Sequence, residues 1–231
     1  TTTPSLGLTP VLSATDILEV SLGPQRIETE QTFLGIPLSD TQTGLIGSLA
    51  VSRQLARGTI GLRFDLSESV NGRTSTLSLD RALVLPRGAL EVSLGLSQDP
   101  FDNLNPVGRL NYTHEWRTST LTASLEQRLT TTAQAEEQRS TRASLNYRYE
   151  INALSSLGLS ASFAEVASIG GGAAGNDTSR TSLRATYTRD LTRDWQLSSG
   201  YEFQRREEEN VGDATANRVF LTLQRNFSLR P

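Results

Sequence analysis

The chain has no cysteine, no methionine and no lysine; its 22 basic residues are all arginine. Without cysteine, neither a disulfide framework nor a thiolate metal site is possible. Without methionine, residue 1 is not an initiator, and the chain reads as a mature, processed or truncated product whose signal peptide is gone. No apolar run approaches the roughly 20 residues a transmembrane helix needs, which excludes a helical membrane protein. A hydrophobic fraction of 36% over 231 residues is modest for a chain that must bury a soluble core. The mean hydropathy of −0.33 points the same way. The net charge of −3 speaks against a general nucleic-acid binder.

What is present is alternation with period two, which puts successive side chains on opposite faces of a strand. Ile60, Leu62, Phe64 and Leu66 alternate with Gly61, Arg63, Asp65 and Ser67, and Leu90, Val92, Leu94 and Leu96 with Glu91, Ser93, Gly95 and Ser97. The same pattern recurs at Leu121–Leu125, Leu145–Tyr149 and Trp195–Phe203. Strands are expected near 15–24, 42–54, 58–69, 73–85, 88–98, 106–117, 119–130, 139–151, 157–167, 179–190, 193–206 and 216–229.

Their connections alternate in length. Gln54–Gly58, Leu85–Gly88, Arg117–Ser119, Asn152–Ser156 and Asp190–Arg193 are tight. Pro24–Thr41, Gln98–Asn105, Thr131–Gln138, Ser168–Thr178 and Glu207–Thr215 are long and polar, with Ser69–Gly72 the short member of that set. Short turns at one rim and long loops at the other are the mark of a transmembrane β-barrel, in which one face of each strand is apolar and the other polar. Leu55-Ala56-Arg57-Gly58, Leu85-Pro86-Arg87-Gly88 and Leu191-Thr192-Arg193-Asp194 share ordinary hairpin chemistry, with Gly or Asp last for a left-handed residue.

Tight turns on the periplasmic side would put Trp116, Tyr149, Tyr187, Trp195 and Phe227 at one rim on the apolar face, half of an aromatic girdle at headgroup level. The expected fold is all-β: a transmembrane up-and-down antiparallel barrel of about twelve strands over 15–231, with the last strand pairing back to the first. Residues 1–14 are a lead-in, a short plug or an extra strand. An extra strand would make thirteen, and since bacterial barrels are normally even, a fourteenth would then lie upstream.

The last strand, Asn217 to Pro231, follows Leu191-Thr192-Arg193-Asp194-Trp195 and Gly200-Tyr201-Glu202-Phe203. Over about the last 45 residues the chain resembles the outer-membrane β-barrel porin family of proteobacteria. The resemblance implies export to the bacterial outer membrane, both termini in the periplasm, and contact with the lipid bilayer and lipopolysaccharide. It also implies insertion by the barrel assembly machinery, with Phe227 as the C-terminal signal. That signal usually ends on its aromatic, whereas four residues follow Phe227. The family brings no substrate, cofactor or catalytic residue with it.

His114, the single histidine, would have to serve any Ser-His-acid hydrolase. It shares the apolar face with Leu110, Tyr112 and Trp116, so an interfacial role is expected and enzymatic activity is not. Asp99, Asp102 and Asn103 lack the regular spacing of a calcium loop. Gly170-Gly171-Gly172 and Gly175 are followed by no helix, and read as a surface loop rather than a phosphate cradle. The run Arg205-Arg206-Glu207-Glu208-Glu209 reads as solvated charge at a loop mouth. No metal or cofactor is expected.

The inward-facing charges are Arg63, Asp65, Asp80, Glu91, Arg109, Glu115, Glu126, Arg128, Arg142, Arg148, Glu150, Arg184, Glu202 and Arg218. They either pair across strands and fill the interior or line an aqueous path and set its charge preference. Glu115 and Glu126 are the expected partners of Arg109, Arg128 and Arg142, and an arginine-rich wall would favour anions. Two functions follow: a narrow passive channel for ions or small polar solutes, or a sealed structural barrel that anchors an envelope partner.

Overall fold

The computed structural model describes residues 6–33, 36–69, 72–131, 137–169, 177–209 and 211–225. The expectations placed on Phe227 and on Gly170-Gly171-Gly172 and Gly175 lie outside these residues.

The strands, in chain order, are β1 (Leu6–Leu8), β2 (Asp16–Phe33), β3 (Ile36–Leu55), β4 (Gly58–Ser69), β5 (Gly72–Leu85), β6 (Gly88–Gln98) and β7 (Leu104–Glu115). They continue with β8 (Ser119–Thr131), β9 (Glu137–Asn152), β10 (Ser155–Ile169), β11 (Thr178–Asp190), β12 (Trp195–Glu208) and β13 (Gly212–Arg225). They form one 13-stranded sheet in sequence order, β1 to β13. The ladders of β1–β5 and β10–β13 are antiparallel throughout. No helix among the described residues is long and apolar enough to cross a membrane.

Two expectations are corrected here. The strand count is thirteen, not twelve, because Leu6–Leu8 pairs with Val20–Leu22 on the outer side of β2. The last strand was expected to close on the first long strand, yet among the described residues no ladder joins β13 to β1 or β2. The physical reason is local: β1 occupies the part of the β2 edge that a closing strand would use first.

A third correction concerns Pro24–Thr41, expected as a long loop. It is the upper part of a continuous hairpin in which Gly23–Phe33 pairs with Ile36–Ile46. Pro24 does not interrupt it. Gln54 N–H donates to Thr15 C=O, so odd-numbered residues of β2 bond β3 and Pro24 points its nitrogen away from that partner. On its other side the described residues of β1 reach only as far as Leu22, and an edge position tolerates a missing donor.

The chain falls into two compact units, one of Thr1–Val84, Glu91–Arg109 and Arg128–Glu137, the other of Leu85–Leu90, Leu110–Gln127 and Gln138–Pro231. Both obey the same rule of polarity. In the first, Val20–Leu49–Phe64–Leu77 and Leu18–Val51–Leu62–Leu79 form rows across β2–β5 on one face. Ser21–Ser48–Asp65–Thr76 and Glu19–Ala50–Arg63–Ser78 form rows on the other. In the second, Leu159–Ala185–Tyr201–Val219 lies on one face of β10–β13 and Ser160–Arg184–Glu202–Arg218 on the other.

Burial runs opposite to that of a soluble protein. The buried side chains among the described residues are Ser97, Asp99, Ser140, Ser155 and Glu202, with only Ala50 and Ala167 as apolar company. Leu62, Leu79, Leu94, Leu183, Val219 and Leu221 are all exposed, Val219 to 81%. The exposed face is thus the apolar one, and the sheltered groups are mostly polar.

At the tight turns the glycines fit their task. Gly58 has φ +117°, a region closed to most side chains, and a Cβ there would stand 2.0 Å from the Ala82 carbonyl oxygen. A Cβ on Gly88 would meet Thr113 O at the same 2.0 Å, so Gly88 serves close strand approach rather than a left-handed turn.

Candidate functional site

The polar face gathers the groups able to meet a solute. Hydroxyl pairs bridge neighbouring strands: Ser21 with Ser48 at 2.8 Å, Thr76 with Ser97 at 2.8 Å, and Ser124 with Ser144 at 2.7 Å. Each pair spans two strands, so the alternation read along each strand is matched across them.

The expected charges divide into three groups. Arg63 on β4 and Asp80 on β5 meet as an ion pair at 3.9 Å, and Asp65 lies two residues along β4 on the same face. Arg184, Glu202 and Arg218 stand directly opposite one another on β11, β12 and β13. Arg184 Nη2 donates to Glu202 Oε2 at 2.7 Å, and Arg218 Nη2 donates to the same oxygen. Gln204 Nε2 donates to Oε1 at 2.5 Å, so both oxygens of a carboxylate only 5% exposed are engaged.

The remaining charges sit on β6–β9. Glu91 lies on β6, Arg109 and Glu115 on β7, Glu126 and Arg128 on β8, and Arg142, Arg148 and Glu150 on β9. Glu91, Arg109 and Glu126 each engage another group. Arg142, Arg148 and Glu150 alternate with Leu145, Tyr147 and Tyr149 along β9.

Sequence reasoning missed three residues on this face. Arg180 and Arg206 face each other across β11 and β12, and Phe220 stands opposite Gly200. The run Arg205–Glu209 was read as solvated charge at a loop mouth, but β12 continues to Glu208. Arg206 pairs with Glu208 at 2.8 Å, and Arg205 on the other face with Glu207 at 2.5 Å and Asp213 at 3.5 Å. Period-two hydrophobicity falls silent where both faces of a strand are polar, so only register reveals such positions.

At the tight-turn ends the apolar face carries charge as well. Arg53 holds Asp16 through two N–H donors, at 2.8 and 3.2 Å. The Arg225 guanidinium carbon lies 5.4 Å from the Trp195 ring centre. Trp116 sits in the β7–β8 turn, Tyr149 and Tyr187 near the ends of β9 and β11, and Trp195 at the start of β12. His114 packs 4.3 Å from the Trp116 ring with its Nδ1 buried and without a hydrogen-bond partner.

Asp99, in the β6–β7 loop, is the one fully buried carboxylate outside the strands among the described residues, at 1% exposure. It accepts from the amides of Phe101 and Asn103 at 2.9 Å each, and from the side-chain amides of Asn103 at 3.1 Å and Asn105 at 3.3 Å. Burial pushes its pKa up, but these hydrogen bonds, those of Asn103 foremost, outweigh it and hold the pKa below the ordinary value. The acid is a loop organiser with its oxygens occupied, and no cluster of acids and histidines suited to a metal occurs among the described residues.

Compared with known proteins, the chain matches no family model and no curated relative. Among solved structures, an outer membrane channel from Pseudomonas putida F1 aligns over 94% of this chain and 97% of that one, with 18% identity and a TM-score of 0.34.

Proposed function

We propose that the chain spans the bacterial outer membrane as a β-barrel and acts as a narrow passive channel for ions or small polar solutes. The observation that carries this is the inversion of burial: the sheet shelters serine and glutamate, and one of its loops an aspartate, while leucine, valine and phenylalanine stand exposed. The strands from β2 onward have at least 11 residues, enough to cross the ~25 Å apolar band of a barrel at the usual tilt. Arginine and aromatic side chains at the tight-turn ends suit a headgroup layer, with termini and tight turns on the periplasmic side. Trp116, Tyr149, Tyr187 and Trp195 would form its girdle, and Phe227 would be the signal read by the assembly machinery. In this reading β13 closes the sheet against the N-terminal strands once it is in lipid.

A second reading is a sealed barrel that anchors an envelope partner. The hydroxyl pairs and the Arg184–Glu202–Arg218 bridge favour it, because groups bonded to each other leave less room for water. Single-channel recording in planar bilayers separates the two. Discrete conductance steps from refolded protein are expected. Protein that resists heat unfolding in detergent yet yields a silent bilayer would overturn the channel and leave the sealed barrel.

A further inference from the structure

The polar face of β11–β13 holds more positive charge than ion pairing consumes. Around Glu202 two guanidinium groups share one carboxylate, and both spend an Nη2 donor on the same oxygen. The trio carries net positive charge, and the side chains of Arg184 and Arg218 remain 45% and 63% exposed. Each guanidinium has five N–H donors in a planar fork, so most of them remain for another acceptor. Among the described residues neither arginine has a second acceptor in the protein.

Its orientation is also fixed. The Arg184 guanidinium carbon lies 5.7 Å from the Phe220 ring centre, and Phe220 lies over Gly200, where a Cβ would stand 2.6 Å from the ring. Glycine at that position lets the ring lie flat and support the arginine from one side. Two rows away on the same face, Arg180 and Arg206 stand directly opposite each other. Like charges in that arrangement destabilise a sheet. Arg206 has Glu208 as partner, whereas no acceptor for Arg180 occurs among the described residues.

From this geometry we infer that the polar face of β11–β13 is a binding site for small oxyanions, such as sulfate, phosphate or a carboxylate, with Arg184 and Arg218 as its primary donors and Arg180 as a second. Glu202 positions the pair and limits the strength of binding, so that an anion dwells and leaves. A fully unpaired arginine cluster would hold an oxyanion too long for passage, and a fully neutralised one would not hold it at all. The inference rests on the channel reading for its physiological meaning, but the site itself requires only the folded sheet.

The test uses the full chain refolded in detergent, titrated calorimetrically with sulfate, phosphate and acetate against chloride at constant ionic strength. Saturable one-to-one binding of an oxyanion and none of chloride is expected. Glu202→Gln keeps the shape and the Gln204 neighbour while releasing both arginines, and should tighten sulfate by about tenfold, the worth of one charge-assisted contact. Arg180→Gln should weaken it severalfold. The triple change R184Q/E202Q/R218Q leaves no buried charge stranded and should abolish it. In bilayers, E202Q should raise the anion-to-cation permeability ratio and the triple change should lower it. Absence of saturable binding, or equal affinity in wild type, E202Q and the triple variant, overturns the site. Binding with a silent bilayer keeps the site and rejects the channel, and conductance with unaltered selectivity in the triple variant keeps the channel and rejects the site.

Discussion

Asp99 shows how one side chain organises a connection that would otherwise be a polar link between β6 and β7. Its four donors come from within six residues of it, and Asp102 takes the left-handed φ of 65° that the tight path requires. Replacing Asp99 with Ala strands two backbone amides and should cost about 1–3 kcal/mol in urea unfolding from lipid vesicles. Because the folded pKa is depressed, the carboxylate contributes its stability fully above the ordinary aspartate range near pH ~4. That contribution is lost as pH falls through the lower folded value. Protease nicking within 99–103 should therefore appear only in strong acid for the native protein, and at neutral pH for Asp99→Ala; equal resistance would contradict the assignment. Gly58 is the second such residue. Gly58→Ala combines a forbidden φ with a clash against the Ala82 carbonyl, at a cost of order 1–3 kcal/mol. A lower fraction of heat-resistant, folded protein on gels would check it.

At the scale of the strand, the proposed exposure to lipid can be measured. Leu62 lies mid-strand in the row Leu18–Val51–Leu62–Leu79 and is half exposed. Leu62→Arg should destabilise the protein in vesicles by about 2–4 kcal/mol, while Leu55→Arg, at the tight-turn end of β3, should cost about 0–1. Equal costs at both positions would mean that the apolar face does not meet hydrocarbon. The same division explains what could be read in advance. β4, β5 and β6 were legible to within one residue because leucine and phenylalanine alternate there with glycine, serine and charge between clear turn residues. The upper part of the β2–β3 hairpin was not, since Glu28, Thr29, Glu30, Gln31 and Thr32 alternate nothing and Pro24 mimics a stop. Arg184, Glu202 and Arg218 could be assigned to a face from parity alone. That they meet is a matter of register between strands, which no single strand encodes.

For the molecule as a whole, the sheet's order makes every long-range ladder a contact between consecutive strands. The length of two of those strands has an outcome of its own. β2 and β3, with 18 and 20 residues, reach about 60 Å when extended at ~3.3 Å per residue. If the chain spans a membrane as proposed, such a hairpin, tilted by ~45° in a ~25 Å apolar band, would rise more than a nanometre clear of the bilayer. It is a mast. An epitope inserted at its tip, between Phe33 and Ile36, should be stained by antibody on intact cells, whereas the same epitope at Arg57 should be reached only after the outer membrane is breached. Staining of both, or of the Arg57 site alone, would invert the orientation proposed above. In the proposed orientation, a mast of that height would be open to whatever approaches the cell from outside.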